Sequence, residues 1–239
     1  MAVKASSTAA RVLTVFEAVA AHQPVGVAEL SRILDIDKSA VQRALVTLSE
    51  QAWIQAEGDH LTRWETTPRI LNIAHSSRAK SDLRHTIQLA LEQLVLQTGE
   101  TAIFNEPVGA QLVVSQVAEC AQELRMVPRI GTVVPARDSA TGRILLPFLS
   151  QERRNELLGE PADAELLALL DACRARGYAA SSEINAPSMT IAAPVFEVDG
   201  RPIGVIAISG PAERMPPDSV ARLAEKVCQA ANLLSGNVP

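Results

Sequence analysis

The sequence contains few aromatic residues and no apolar run long enough to cross a membrane. Only 3% of its 239 residues are aromatic although 47% are hydrophobic, so its cores must be built mainly from aliphatic side chains. A membrane-spanning helix needs about 20 consecutive apolar residues, and no such segment occurs. The N-terminal stretch MAVKASSTAA lacks the apolar core of a signal peptide. We therefore expect a cytoplasmic protein with no membrane partner.

The sequence is also short of the residues that most enzyme and metal sites require. The three cysteines lie far apart, at Cys120, Cys173 and Cys228, which favours reduced, buried thiols over a disulfide or a metal site. All four histidines precede residue 86, so residues 86–239 cannot hold a Ser-His-Asp or Cys-His site. The nucleotide-binding GxGxxG and P-loop motifs are absent, and so is the GxSxG motif of serine nucleophiles. The sequence thus predicts no cofactor and no metal, and leaves only lysine- or carboxylate-based chemistry open.

The charge is divided unevenly between the two parts of the chain. The whole sequence carries a formal net charge of −5. Residues 1–80 hold nine basic and eight acidic residues, whereas residues 81–239 hold thirteen basic and nineteen acidic ones. Because the first part is nearly neutral, it can bind nucleic acid only through the placement of its charges, and we expect two copies of the chain to bind together.

Residues 1–66 have the pattern of a winged helix-turn-helix domain. The predicted elements are helices at Arg11–Ala21, Val27–Leu34 and Lys38–Glu50 and strands at Trp53–Ala56 and Leu61–Glu65. Asp37 is the expected N-cap of the third helix, and Gly58 and Asp59 form the turn of the wing. In proteins with this order of elements, the third helix enters the major groove of DNA.

The third helix separates into a buried face and an exposed face. The apolar positions that recur at helical spacing, and so predict the buried face, are Val41, Ala44, Leu45 and Leu48. The polar residues of the opposite face are Lys38, Ser39, Gln42 and Arg43. Glutamine can pair with adenine and arginine with guanine, while residues at a helix N-terminus suit phosphate contacts. We predict that these four residues, together with Arg63 in the wing, contact double-stranded operator DNA, and that the neighbouring His60 is a bystander.

Beyond the wing, residues 67–98 predict a linker helix and residues 99–239 a separate domain. One face of the linker carries a stripe that we expect to be buried between two copies of the chain, formed by Leu83, Ile87, Leu91 and Leu94. After Gly99, paired strand patterns are separated by helical ones, and Asp199-Gly200 marks a hairpin. This order predicts an α+β domain rather than a doubly wound parallel sheet.

The residues from Asp138 to Arg143 suggest a binding pocket in this second domain. They open a predicted helix, Ser139–Leu149, directly after a strand that ends at Pro135. Small residues leave space beside the first helical turn, whose unpaired N–H groups favour a carboxylate. Taken alone, the same residues also fit a plain helix start, in which a side chain such as that of Ser139 only caps the helix.

Three stretches of the sequence resemble the IclR family of bacterial transcriptional regulators. The family's winged helix-turn-helix is matched by AARVLTVFEAVAAHQPVGVAELSRILDIDKSAVQRALVTLSEQAWI. Two signatures of its second domain are matched by RIGTVVPARDSATGRILLPFL and RGYAASSEINAPSMTIAAPVFEVDGRPIGVIAISGPAERM. The resemblance covers the chain from about residue 9 to residue 215 and keeps the three stretches in order.

The resemblance implies a transcriptional regulator whose operator binding is modulated by a small organic or aromatic acid. It implies a GAF-like effector domain and a homodimer, often assembled as a dimer of dimers. Carried across by motif, the effector-binding positions are Met126, Val134, Ala140, Thr141, Ser188, Thr190, Ala207 and Ser209. Thr190 stands where the family often has Cys or Ser, and Ala207 where it often has Ser. The pocket is therefore expected to suit a larger, partly apolar or aromatic acid.

Two alternatives remain open at the level of sequence. One is an enzyme domain fused to a DNA anchor, which would turn over its ligand. The other is a scaffold whose winged helix binds protein. A salt-dependent shift of promoter DNA would favour the regulator, because phosphate contacts release counterions.

Overall fold

The computed structural model of the chain describes residues 5–57, 62–74, 78–182 and 187–235. The chain divides into two units, Met1–Arg78 and Ala79–Pro239. None of the helices in the described ranges is long and apolar enough to cross a membrane. The predicted wing turn at Gly58 and Asp59, like the neighbouring His60, lies outside the described residues.

The first unit has the order of elements that the sequence predicts. Its elements are α1 (Ser7–His22), α2 (Val27–Leu34), α3 (Lys38–Glu50), β1 (Ile54–Glu57), β2 (Arg63–Thr66) and α4 (Arg69–Ala74). The two strands pair antiparallel, with Ile54 opposite Thr66. The predicted N-cap of α3 is confirmed, because the Asp37 carboxylate accepts a hydrogen bond from the Ser39 backbone N–H.

One aliphatic core joins the three helices and the wing of this unit. The predicted inner face of α3 is confirmed, since Val41, Ala44, Leu45 and Leu48 are all buried. Trp64 extends from β2 into the same core, and its backbone exchanges two hydrogen bonds with Val25, of 2.9 and 3.1 Å. The base of the wing is thereby fixed to the loop that precedes α2, which holds the wing beside α3.

The second unit is an α+β domain built on one antiparallel sheet. Its helices are α5 (Arg78–Thr98), α6 (Ala140–Leu145), α7 (Gln151–Leu158), α8 (Ala164–Arg176) and α9 (Pro217–Ser235). Its strands are β3 (Thr101–Val108), β4 (Gln111–Ala118), β5 (Val133–Val134), β6 (Ala179–Ser181), β7 (Ser188–Phe196) and β8 (Pro202–Pro211). The strand order is β5-β4-β3-β8-β7-β6, and every neighbouring pair is antiparallel. The predicted α+β class is confirmed, although the sequence did not indicate β6.

The prediction that the apolar stripe of the linker is buried between two copies of the chain is wrong. The sequence predicts a linker helix that can break near Ser76–Ser81, and the described residues form α4 and α5, of which α5 packs into the second unit. Its buried residues Ile87, Leu91 and Leu94 lie in the core that also contains Phe104 of β3, and Leu83 packs against this core from its edge. The stripe is apolar because it covers the domain's own sheet, and it therefore cannot also pack against a second copy of the chain.

The two faces of the sheet carry different layers. On one face, α5 and α9 cover the aliphatic side chains that alternate along the central strands. On the other face, α6 packs on β7 and β8, and Ala140 and Ile144 meet Ile103 and Ala207. Because α6 covers only part of this second face, the remainder is free to form a cavity.

Candidate functional site

The first candidate site is the exposed face of α3. Lys38, Ser39, Gln42 and Arg43 are all exposed there, as the helical spacing predicts. Asp37 orders the start of the helix, since its carboxylate also accepts a hydrogen bond of 2.5 Å from the Ser39 hydroxyl. These bonds, led by the one from the Ser39 hydroxyl, lower the pKa of Asp37 from its ordinary value. Arg43 Nη1 donates to Ser39 Oγ at 3.3 Å, so the two side chains lie together on the helix surface.

Arg63 contacts a different part of the first unit from these four residues. Its Nε donates a hydrogen bond of 2.9 Å to the Pro24 carbonyl oxygen, and its Nη2 forms a 3.2 Å ion pair with Glu29. The guanidinium therefore ties the start of β2 to the segment around α2. Its predicted contact with DNA stays a prediction, and its observed partners are all within the first unit.

The second candidate site is a cavity of about 400 Å³ in the second unit. One wall is the sheet face that carries Ile103 of β3 and Thr190 of β7, and the other walls are residues 125–128, 132–135, 139–141 and 181–182. This volume is in the range of pockets that hold small organic ligands, about 300–1,000 Å³. The lining combines aliphatic side chains with many hydroxyl groups, so it offers an apolar body and hydrogen-bond donors together.

Seven of the eight predicted effector positions line this cavity, namely Met126, Val134, Ala140, Thr141, Ser188, Thr190 and Ser209. The exception is Ala207, which is fully buried beside Ile103 and Ala140 and does not reach the lining. It precedes Ser209 by two residues on the same face of β8, but α6 covers the strand at that point. The prediction for Ala207 is corrected for this reason.

The Ser139 side chain caps α6, which is the role expected if this segment is only the start of a helix. Its hydroxyl accepts a hydrogen bond of 3.0 Å from the Gly142 backbone N–H and donates one of 2.6 Å to the Pro135 carbonyl. Thr141 Oγ1 lies 3.1 Å from the same hydroxyl. Two of the lining hydroxyls are therefore already hydrogen-bonded within the protein, as are those of Thr190 and Ser209, which lie 3.1 Å apart.

Arg125 and Asn105 are two of the lining residues that the sequence analysis did not predict. Arg125 is the only residue with a formal charge among the described residues of the lining. Its Nε pairs with Glu119 at 3.2 Å and its Nη1 donates to the Gln122 carbonyl at 3.1 Å, which leaves Nη2 without a partner among the described residues. Asn105 of β3 is the second, and it is fully buried. A polar residue within the buried run of β3 was the signal that could have identified it.

Comparison with known proteins assigns both units to one family. Residues 8–58 match the IclR helix-turn-helix domain, and residues 75–236 match the C-terminal domain of bacterial transcriptional regulators of the IclR type. The chain belongs to the IclR family. It is therefore a DNA-binding transcriptional regulator, and the exposed face of α3 lies on its helix-turn-helix domain. No cluster of three or more potential metal ligands occurs among the described residues of this regulator.

Individual relatives align along nearly the whole chain. The HTH-type transcriptional regulator BhcR of Paracoccus denitrificans is 29% identical over 238 residues, which cover 94% of this chain and 85% of BhcR. The transcriptional repressor IclR of Escherichia coli is 26% identical, with coverages of 87% and 80%. The crystal structure of an IclR homologue from Microbacterium hydrocarbonoxydans, complexed with 4-hydroxybenzoate, has a TM-score of 0.79 at 20% identity and covers 97% of this chain and 99% of the homologue. At this identity the structural likeness shows the shared fold.

Proposed function

We propose that this regulator binds operator DNA through α3 and releases or tightens that binding when a small organic acid occupies the cavity. The observation that carries the proposal is the cavity itself. It gathers seven predicted effector positions, which lie far apart in the sequence, around one space of about 400 Å³. A relative of the same fold is complexed with 4-hydroxybenzoate, an aromatic acid that combines an apolar ring with polar ends.

The chemistry of the lining supports an anionic ligand. Arg125 supplies the one formal charge among the described lining residues, and its Nη2 is available for a carboxylate oxygen. Aliphatic residues such as Ile103, Val114 and Val134 supply the surface against which the body of the ligand would pack. We assign no catalytic step to this cavity, because a binding site with this composition is sufficient for a regulator.

Arg125→Met is expected to weaken acid binding by about 1.5–3 kcal/mol, the usual contribution of a hydrogen bond to a charged group. Methionine retains the apolar stem and removes the guanidinium. Calorimetric titration with 4-hydroxybenzoate and with benzoate measures the change. Arg129→Met is the matched control, since Arg129 is exposed on the same segment and does not line the cavity. Equal affinity in both variants would place the carboxylate elsewhere.

The DNA half of the proposal rests on the four exposed residues of α3. Arg43→Ala is expected to weaken specific operator binding by about 1–3 kcal/mol, because a base-reading arginine is lost. Lys38→Ala is expected to weaken all DNA sequences alike and to flatten the salt dependence by about one unit per bound copy, because one phosphate contact is lost. Fluorescence anisotropy with an operator fragment, repeated at several salt concentrations, distinguishes the two effects. Wild-type binding by both variants would show that this face does not meet DNA.

Assembly and location complete the proposal. A nearly neutral DNA-binding unit gains affinity when two copies occupy two half-sites together, so we expect a homodimer that can pair into a dimer of dimers. A regulator of transcription acts where the chromosome lies, which in a bacterium is the cytoplasm.

Titrating the operator complex with organic acids, at constant protein concentration, tests the central claim of the proposed function. The affinity for DNA must change when the cavity is filled.

A further inference from the structure

We propose that Asn105 recognises a hydroxyl group of the bound acid and thereby makes the cavity selective for hydroxy-substituted carboxylic acids. The inference rests on the proposed function, because it assigns a specificity role within the same cavity. Asn105 is not among the positions carried across by motif, and it is the only amide side chain among the described residues of the lining.

The position of Asn105 is fixed by the sheet on both sides. Its backbone pairs with Val205 of β8 and with Val114 of β4. A Cβ atom at Gly204 would lie only 2.5 Å from the Asn105 carbonyl oxygen, which shows how closely the two strands pack there. Strand alternation puts Asn105 on the same face as Ile103, which also lines the cavity. The backbone of Asn105 is therefore held at the cavity wall by both neighbouring strands.

The Asn105 side chain has no hydrogen-bond partner among the described residues, although it is fully buried. Neither Oδ1 nor Nδ2 is bonded. Nearly all buried polar groups in proteins are hydrogen-bonded, and those that are not destabilise the fold. An aliphatic residue would be the more stable choice beside Ile103 and Val114. Asn105 is also the residue that lines the cavity among the described buried side chains with unbonded polar atoms, so its amide is best explained by a group that enters the cavity.

Four hydroxyl groups of the lining are hydrogen-bonded within the protein. Ser139, Thr141, Thr190 and Ser209 also line the cavity, and the structure joins their hydroxyl groups into two internal pairs. Asn105 is thus the lining amide that can give its whole hydrogen-bonding capacity to a ligand.

The chemistry of an amide limits what that ligand group can be. Oδ1 only accepts hydrogen bonds and Nδ2 only donates them. A carboxylate would satisfy Nδ2 and would repel Oδ1, and its charge is better placed against Arg125. A hydroxyl group can donate to Oδ1 or accept from Nδ2, and it is neutral. The combination of one cationic and one amide group therefore fits an acid that carries a separate hydroxyl.

The experiment compares pairs of acids that differ by one hydroxyl group. The probes are benzoate and 4-hydroxybenzoate, phenylacetate and 4-hydroxyphenylacetate, and hexanoate and 6-hydroxyhexanoate, each titrated calorimetrically into the full-length protein. We expect at least one hydroxylated acid to bind the wild type about tenfold or more tightly than its partner, because a site built to hydrogen-bond a hydroxyl discriminates against analogues without it. Asn105→Leu should remove this preference and leave the affinity for the unsubstituted acid unchanged or higher.

A matched control is available on the neighbouring strand. Gln116 is also a buried amide, and its Nε2 likewise has no partner among the described residues, but it pairs with Phe104 and does not line the cavity. Gln116→Leu should therefore keep the preference for the hydroxylated acid. The thermal midpoint of each ligand-free variant provides a second measurement. We expect Asn105→Leu to melt at the same temperature as the wild type or higher, because an unbonded polar group is replaced by an apolar one.

The outcomes separate this inference from the proposed function. If the wild type binds the acids without preferring the hydroxylated partners, or if Asn105→Leu keeps the preference, the inference is wrong and the proposed function stands. A lower thermal midpoint for Asn105→Leu, with loss of all acid binding, would show a structural role and would also overturn it. If the wild type binds none of the six acids, the proposed ligand class is wrong and the inference fails with it.

Discussion

Replacing Arg214 with methionine is expected to lower the free energy of unfolding by about 3–5 kcal/mol, the usual cost of removing one partner of a buried ion pair. Arg214 holds Glu100 with two hydrogen bonds of 2.6 Å, from Nε to Oε1 and from Nη2 to Oε2. The Glu100 side chain is only 5% exposed, and a third bond joins Arg214 Nη1 to the Leu124 carbonyl. The bonds to Glu100 raise the pKa of Arg214 above its ordinary value. Without Arg214, a buried carboxylate is left uncompensated.

Two further variants show whether the buried charge is the cause. Adding Glu100→Gln to Arg214→Met should recover at least about half of the lost stability, because the uncompensated charge is removed. Arg201→Met is the control, since Arg201 is 68% exposed in its pair with Glu197 and such pairs contribute about 0–1 kcal/mol. Urea denaturation of the four proteins measures each value. Equal losses for Arg214→Met and Arg201→Met would contradict the prediction.

Gly142→Ala is expected to lower the free energy of unfolding by about 3 kcal/mol, the upper end of the usual range of about 1–3 kcal/mol for overpacking, because the new atom would meet backbone. A Cβ atom at this position would lie 2.0 Å from the Ala136 carbonyl oxygen and 2.5 Å from its carbonyl carbon. No rotamer change can relieve this contact, because both obstacles are backbone atoms. The start of α6 would have to move away from residues 135–139, and Ala140 and Thr141 would leave the cavity wall.

The matched control is Gly26→Ala in the first unit. A Cβ atom at Gly26 meets nothing within 4 Å, and Gly26 is the N-cap of α2, where the change should cost well under about 1 kcal/mol. Denaturation again provides the comparison. Acid titration of the Gly142 variant adds a functional measurement, in which binding should be lost. Wild-type stability with intact acid binding would show that the close approach at Gly142 is not needed.

Local patterns in the sequence determined most of the elements and the candidate DNA-binding face. The spacing of Val41, Leu45 and Leu48 determines which side of α3 is buried, and residues three or four apart in a helix always share a side. Asp37 caps α3 through a residue two positions away. Each of these features depends on neighbours within one helical turn, so the sequence was sufficient to predict it.

Seven of the eight positions carried across by motif line the cavity, and six of these seven lie on the two signature stretches of the second domain. What the motifs could not show is how deeply each residue is covered. Ala207 and Ser209 are two residues apart on one face of β8, yet only Ser209 reaches the cavity. The difference is made by α6, whose position over the strand follows from packing across the sheet.

The tertiary structure alone decided the roles that depend on distant partners. An apolar stripe on α5 is the same in the sequence whether it covers a second copy or its own sheet, and only packing against β3 and α9 identifies the second case. Arg63 and Pro24 are 39 positions apart, and Arg214 and Glu100 are 114 positions apart. Asn105 is informative because no described residue bonds to it, which is a property of its surroundings. Periodicity reports which face of an element is apolar, whereas a charge or an amide acquires its function from groups that only the folded chain brings beside it.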